Sequence, residues 1–143
     1  MIVADTNVVS EVMRADPDPH VLRWMESIAP GGIGITAVTV EEIERGIGRL
    51  APGRRCRDLD RRWRAVINGY GEDVLAYGAA EAVQTADVLV GRERAGRPMH
   101  LADAMIAGIC LVGSHTLATR NTSDFDGIPD LVVHNPFVAR PKG

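Results

Sequence analysis

Aromatic residues are scarce in this 143-residue chain: two Trp, two Tyr and two Phe, 4% of the sequence. The core must therefore be built from Val, Ile, Leu and Ala. Cysteine is scarcer still. Cys56 and Cys110 form no CxxC pair and have no His-rich surroundings, so neither a zinc site nor a disulfide framework is suggested. Cys110 lies in an apolar segment and reads as a small core residue. Long hydrophobic runs are missing too. The stretch AMIAGICLVG is too short to cross a bilayer. The N-terminus lacks the basic flank and cleavage site of a secretory signal, and Asp5 interrupts its apolar run. A cytoplasmic location is expected. There is no G-x-S-x-G and no P-loop, so the nucleophile and phosphate-cradle chemistries of those patterns are not suggested. No repeat, low-complexity tract or linker divides the chain. Lysine occurs once, which fits simple composition bias.

What remains is 45% hydrophobic and 24% charged, the balance of a soluble globular protein. The length suits one domain over residues 1–143 with a sizeable core. The net charge of −3 hides an asymmetry. Residues 44–64 hold eight arginines against three acids, a local charge of +5. Such a stretch either faces a polyanion or is simply a solvated helix face.

Short apolar segments alternate with helical patterns. Strands are expected at Ile2–Ala4, Ile33–Ile35, Val74–Ala76, Thr116–Thr119 and Leu131–Val133. Helices are expected over Val8–Arg14 and over His20–Ser27, the second with Asp18 as N-cap and Pro19 at its first position. Thr39 is expected to open a helix with Val40, Ile43, Ile47 and Leu50 on one face. A basic helix over Arg57–Ile67 should follow, closed by Gly69 and Gly71. Ala79–Ala95 shows apolar positions at 79, 82, 83, 86, 89 and 90. Leu101–Val112 is apolar nearly all round and should be buried. This alternation predicts an α/β fold, a parallel sheet covered on both faces. Right-handed crossovers then bring all strand C-termini to one edge, where such sheets carry their sites.

Four acids fall at that edge. Asp5 follows the first strand and Asp124 the fourth. Glu42 and Asp103 lie in the first turns of helices. Four carboxylates in one cleft repel each other, and a divalent cation with a taste for oxygen ligands relieves that repulsion. Each acid also has an ordinary structural reading. Asp5 could only cap the first helix. Glu42 could close a T-x-x-E capping box with Thr39. Asp124 sits in the loop NTSDFDG beside Asp126, where Asp is common. Asp103 is the hardest to dismiss, because it interrupts LADAMIAGICLV, where an unpaired charge is costly. His100, three residues earlier, could sit at the mouth of a site. Trp24 and Trp63 read as packing residues.

The blocks MIVADTNVVSEVMR, ITAVTVEEIERGIGRL, GRPMHLADAMIAGIC, LATRNTSDFDGI and VVHNPF together resemble PIN-domain ribonucleases. They are most similar to VapC-type toxins of bacterial toxin–antitoxin pairs, in the FitB-like branch. The resemblance runs over essentially the whole chain. It implies a PIN-like three-layer sandwich with about five parallel strands between helices. It implies that Asp5 and Asp103 bind Mg²⁺, with Mn²⁺ as an alternative, and that Glu42 and Asp124 complete the metal cluster and the catalytic set. Thr6 and Asn121 match polar positions near the acids. His100 falls where relatives often carry a small or apolar residue.

The implied activity is endonucleolytic cleavage of RNA phosphodiester bonds by a metal-activated water. The implied partners are RNA, a second copy of the chain in a homodimer, and a VapB-type antitoxin. DNA would be met only through that antitoxin. The antitoxin's C-terminal segment would cross the acidic cleft, commonly with an Arg, and lie in a groove lined by Val8, Val9, Val12, Met13 and the Val40–Leu50 stripe. Arg54, Arg55 and Arg57 are candidates for tracking the RNA backbone. Two rivals stay open: a catalytically silent PIN fold acting with an antitoxin in operon repression, and a phosphotransfer domain using Asp5 as nucleophile. DTN lacks the second acid that a DxD phosphatase would place two residues on.

Overall fold

Short β-branched and alanine-rich segments pair into five parallel strands: β1 (Ile2–Ala4), β2 (Ile33–Thr36), β3 (Val74–Leu75), β4 (Thr116–Ala118) and β5 (Val132–His134). The structure is a computed structural model, and it describes residues 1–70 and 73–138. Among these residues there are six α-helices: α1 (Thr6–Val12), α2 (Pro19–Glu26), α3 (Ala37–Gly48), α4 (Arg54–Tyr70), α5 (Ala79–Arg94) and α6 (Leu101–Gly113). A single 3-10 turn covers Thr122–Phe125.

The strand order is β3-β2-β1-β4-β5. From β1 the chain steps outward to β2 and β3, then returns through α5 and α6 to the other flank of β1. The direction of winding therefore reverses between β1 and β4. Register follows side-chain alternation: Ile2 pairs with Ile33 and with Thr116, and Ala4 with Ala118. Val3 and Leu117 then point into one core with Ile106, Ala107 and Cys110 of α6. Ala4, Ala118 and Ile35 point into the other core with Val8, Val9, Trp24 and Trp63. The expected α/β layering, helices on both faces of a parallel sheet, is what the chain adopts. No helix among the described residues is long and apolar enough to cross a membrane.

Local chemistry moves several boundaries. The helix expected to open at Thr39 begins at Ala37, because the Thr36 hydroxyl accepts the Thr39 backbone N–H at 3.1 Å. The capping box between Thr39 and Glu42 therefore does not form, and the Glu42 side chain is left for other work. The basic helix begins at Arg54, within the expected turn, and runs through Gly69 to Tyr70. Gly71 lies outside the described residues. β3 keeps only two residues. Asp18 caps α2 as expected, accepting the His20 N–H at 2.8 Å, with Pro19 first in the helix.

The apolar face expected on α5 is not its buried face. Thr85, Val88 and Arg92 are buried, while Val83 is 62% and Val90 41% exposed. Polar Thr85 turns inward because its hydroxyl donates to the Glu81 carbonyl at 2.8 Å and its small side chain fits beside α6. Both tryptophans pack as expected. Trp63 is fully buried and its indole N–H donates to Glu44 Oε1 at 2.8 Å. Cys110 is a core residue, and burial, with Asp5 adding, pushes its thiol up to about 12, far from nucleophile range.

Candidate functional site

The crevice at the switch between β1 and β4 is where an open parallel sheet presents strand ends to a ligand. Asp5 leaves β1 there, 5% exposed. Its Oδ1 accepts the Thr6 backbone N–H at 2.8 Å. Its Oδ2 accepts the Thr119 hydroxyl at 2.8 Å and the Asn7 amide at 3.2 Å. Asp5 thus does cap α1, and the same carboxylate faces the cleft. Burial raises its pKa above the ordinary value. The hydrogen bonds from Thr119 and Thr6 oppose that rise, and the charges of Glu42 and Asp124 add to it.

Glu42 comes in from α3 on the next strand's side. Its Oε1 accepts the Thr6 hydroxyl at 2.8 Å, and Thr6 Oγ1 lies 3.0 Å from Thr39 Oγ1. A hydroxyl chain from α3 through α1 thus orients the acid. Asp103, in the first turn of α6, is pushed up to about 6. Burial is the main cause, followed by the charges of Asp5, Asp124 and Glu42, while His100 pulls the other way. Asp124 stands exposed on the 3-10 turn after β4. Asp5, Glu42, Asp103 and Asp124 line one cleft of roughly 270 Å³, together with Thr6, Asn7, Ser10, Asn121 and Phe125.

The structure therefore brings the four predicted acids and both predicted polar residues to one place. Asp126, the rival of Asp124, does not line the cleft. Nor does the exposed His100, which stands at the N-cap of α6 and acts on Asp103 only through its charge. The arginines separate. Arg55 lines a second groove with Met13, Ile43, Ile47, Leu50 and Leu59, which meets the acidic cleft at Thr6, Ser10 and Glu42. Arg54 shares only a more distant depression with Arg55, Asp58 and Arg62. Arg57 lines neither. Half of the expected groove lining is corrected as well. Val8 and Val9 are buried in the core, and Val12 and Val40 pack against it.

Three cleft contributors have no signature in the sequence. Thr119, expected as the last residue of a strand, hydrogen-bonds Asp5 and takes the Asn121 N–H at 3.1 Å. Asn7 bridges Asp5, Thr119 and the Arg120 backbone N–H, which its Oδ1 accepts at 3.1 Å. Ser10 reaches the cleft one helical turn beyond Thr6. Only the neighbouring Thr6, matched through the resemblance, hinted at this network.

The donor set is all oxygen: four carboxylates with hydroxyls and amides behind them. Among the described residues no Lys or Arg lines the cleft to balance their charge. Among the described residues no three Asp, Glu, His or Cys side chains already form a closed ligand set. The fit to a cation thus rests on donor chemistry and on two carboxylates held above their ordinary pKa. Hard divalent cations suit such donors.

A domain model described as PIN domain matches residues 2–131. The VapC ribonuclease Y4jK of Sinorhizobium fredii is 30% identical over 96% of this chain and 98% of its own length. The toxin FitB of Neisseria gonorrhoeae is 30% identical over 96% of this chain and 99% of its own. The solved structure of FitAB bound to an IR36 DNA fragment superposes with a TM-score of 0.90 at 28% identity, covering both chains completely. Strand order, switch-point cleft and domain match agree: the chain belongs to the PIN-domain family.

Proposed function

We propose that the chain is the toxin of a toxin–antitoxin pair, a divalent-metal-dependent endoribonuclease held inactive by a VapB-type antitoxin. The observation that carries this reading is the convergence of Asp5, Glu42, Asp103 and Asp124 on one cleft that, among the described residues, no basic side chain lines. Similarity to proteins named ribonuclease and toxin supports it.

Asp5 and Asp103 would hold Mg²⁺ or Mn²⁺, with Glu42 and Asp124 completing the set. When bound, such a cation supplies Lewis-acid stabilisation of the charge that builds on the phosphodiester oxygens. The chain's own residues do the positioning. Thr119, Asn7 and the Thr6 N–H fix the Asp5 carboxylate. The Thr6 hydroxyl, backed by Thr39, fixes Glu42. Asn121 offers an amide at the rim to the RNA strand. Arg55 meets the backbone where the second groove joins the cleft, and Arg54 and Arg57 extend the positive field along α4.

That second groove, apolar along Ile43, Ile47, Leu50 and Leu59, would receive the antitoxin segment, with a basic side chain reaching the acids. DNA would be contacted through the antitoxin, as the FitAB–DNA structure suggests by analogy. The chain is expected to act as a homodimer.

The test is cleavage of total RNA by the purified, antitoxin-free chain with Mg²⁺, with EDTA, and with the variants Asp5→Asn and Asp103→Asn. Discrete Mg²⁺-dependent cuts that fall at least about 100-fold in both variants are expected, since losing a several-kcal/mol metal contribution has that effect. A folded, antitoxin-free chain that cuts nothing with any divalent metal would sink the reading and leave a silent binding module.

A further inference from the structure

We infer that Arg92 is a positioning residue for the acidic cleft: it sets the direction of Asp124 by gripping the backbone of the turn that carries it. This inference rests on the metal reading above.

Arg92 lies on the inner face of α5 and is 8% exposed. A guanidinium so placed is costly unless its donors are met. Its donors go to backbone carbonyls. Nε donates to the Arg97 carbonyl at 2.7 Å, and Nη1 donates to the carbonyls of Asp124 at 3.0 Å and Asp126 at 2.8 Å. No acid pairs with it among the described residues. Its charge is thus not engaged in an ion pair; the rigid fork of donors is what the site uses.

The turn has little else to hold it from this side. Its first position, Asn121, provides no side-chain cap, although the Asp124 N–H donates to the Asn121 carbonyl at 3.0 Å. Phe125 anchors the turn in the core, 3% exposed. Arg97 adds one bond, from Nη2 to the Ser123 carbonyl at 3.3 Å. Among the described residues only Arg92 holds the carbonyls on both sides of Phe125. It fixes the Asp124–Phe125 and Asp126–Gly127 peptide planes, the first of which adjoins the Asp124 Cα, and so the direction in which the exposed Asp124 carboxylate leaves the backbone. Groups that orient a ligand typically alter metal affinity 10–100-fold when removed.

The test is Mn²⁺ binding, by titration calorimetry and by the loss of the free-ion electron paramagnetic resonance signal, on the full antitoxin-free chain. Wild type, Arg92→Met, Asp124→Asn and the double variant are compared, with Arg92→Lys as the variant that keeps the charge and the buried volume. Arg92→Met is expected to weaken Mn²⁺ about tenfold in the wild-type background and not at all beyond Asp124→Asn. Arg92→Lys should weaken it several-fold, and it carries the test if the Met variant does not fold. Wild-type affinity in the folded Arg92 variants, or an equal loss with and without Asp124, would overturn the inference and leave the metal site standing. A wild-type chain that binds no Mn²⁺ would overturn both.

Discussion

Asp103 and Asp5 sit in one cleft but are held differently. Asp5 has three hydrogen bonds to its carboxylate, which offset part of its burial. Asp103 has a pKa of about 6 because burial and three neighbouring carboxylates act on it together. A folded-state pKa above the unfolded value means that the folded chain binds the extra proton. Stability therefore falls as pH rises from about 4 to about 6, and stays low above that. Without a divalent cation, Asp103→Asn should accordingly stabilise the chain at pH 7. About 1 kcal/mol is expected once solvent screening of this half-exposed group is allowed for, read as a higher thermal midpoint in EDTA. A lower midpoint would mean that the carboxylate makes a structural bond. The same shift predicts that Mg²⁺ affinity rises with pH through about 6, because the ligand must lose its proton first. Calorimetric titration at pH 5 and pH 7 checks this. Asp5 and Asp103 stood out in sequence because they interrupt apolar runs, whereas Glu42 and Asp124 had ordinary capping and turn readings and were marked by their place at the sheet edge. Arg92 and Glu11 were not legible. Both are charged residues on helices read only from their apolar positions, yet Glu11 is 5% exposed and held by Arg14 and the Asp18 N–H. Periodicity counts polarity, and it cannot see a buried charge whose partners are met in the fold.

At the scale of elements, the least legible helix was α5. Its apolar positions looked like the inner stripe, but packing against α6 selected Thr85 and Val88 instead. The reason lies across the contact, at Gly108 of α6. A methyl group there would come within 2.8 Å of the Glu81 carbonyl. The two helices approach so closely that a small polar face fits where a row of valines would not. Gly108→Ala is therefore expected to destabilise the fold by about 1–3 kcal/mol, the usual cost of overpacking, measured by urea unfolding. An unchanged midpoint would show that the helices separate without penalty. The basic helix α4 makes a different prediction. Replacing Arg55, which lines the groove that meets the cleft, should lower RNA affinity and reduce the salt slope by about one, measured in the non-cleaving Asp103→Asn background. Replacing Arg57 should do less. Equal effects at both positions would mean that the charge acts as a diffuse field rather than at a contact.

For the whole molecule, composition and alternation sufficed for the parallel sheet and its covered faces. They did not give the strand order, because a two-residue β3 carries almost no pattern and the return to β4 depends on α5 and α6 packing together. The misread face of α5 has a consequence at this scale. Val83 and Val90 form an exposed apolar row on a helix whose other side is already packed. A second copy of the chain is the expected cover, in keeping with the proposed homodimer. Val83→Glu should shift sedimentation toward the monomer while leaving the unfolding midpoint of the monomer within about 0.5 kcal/mol of wild type. A dimer that persists unchanged would place the interface elsewhere.

The switch-point cleft also has a bearing on how the protein is made. Its first acid is residue 5, its last is residue 124, and the bond that orients Asp5 comes from Thr119. β1 has its neighbour β2 early, but β4, the strand that closes the other wall, leaves the ribosome only after α6. A chain interrupted between α6 and β4 carries Asp5, Glu42 and Asp103 without the strand and the Thr119 bond that set Asp5 in place. Fragments that end before β4 should thus lack the assembled cleft, and with it the proposed metal site.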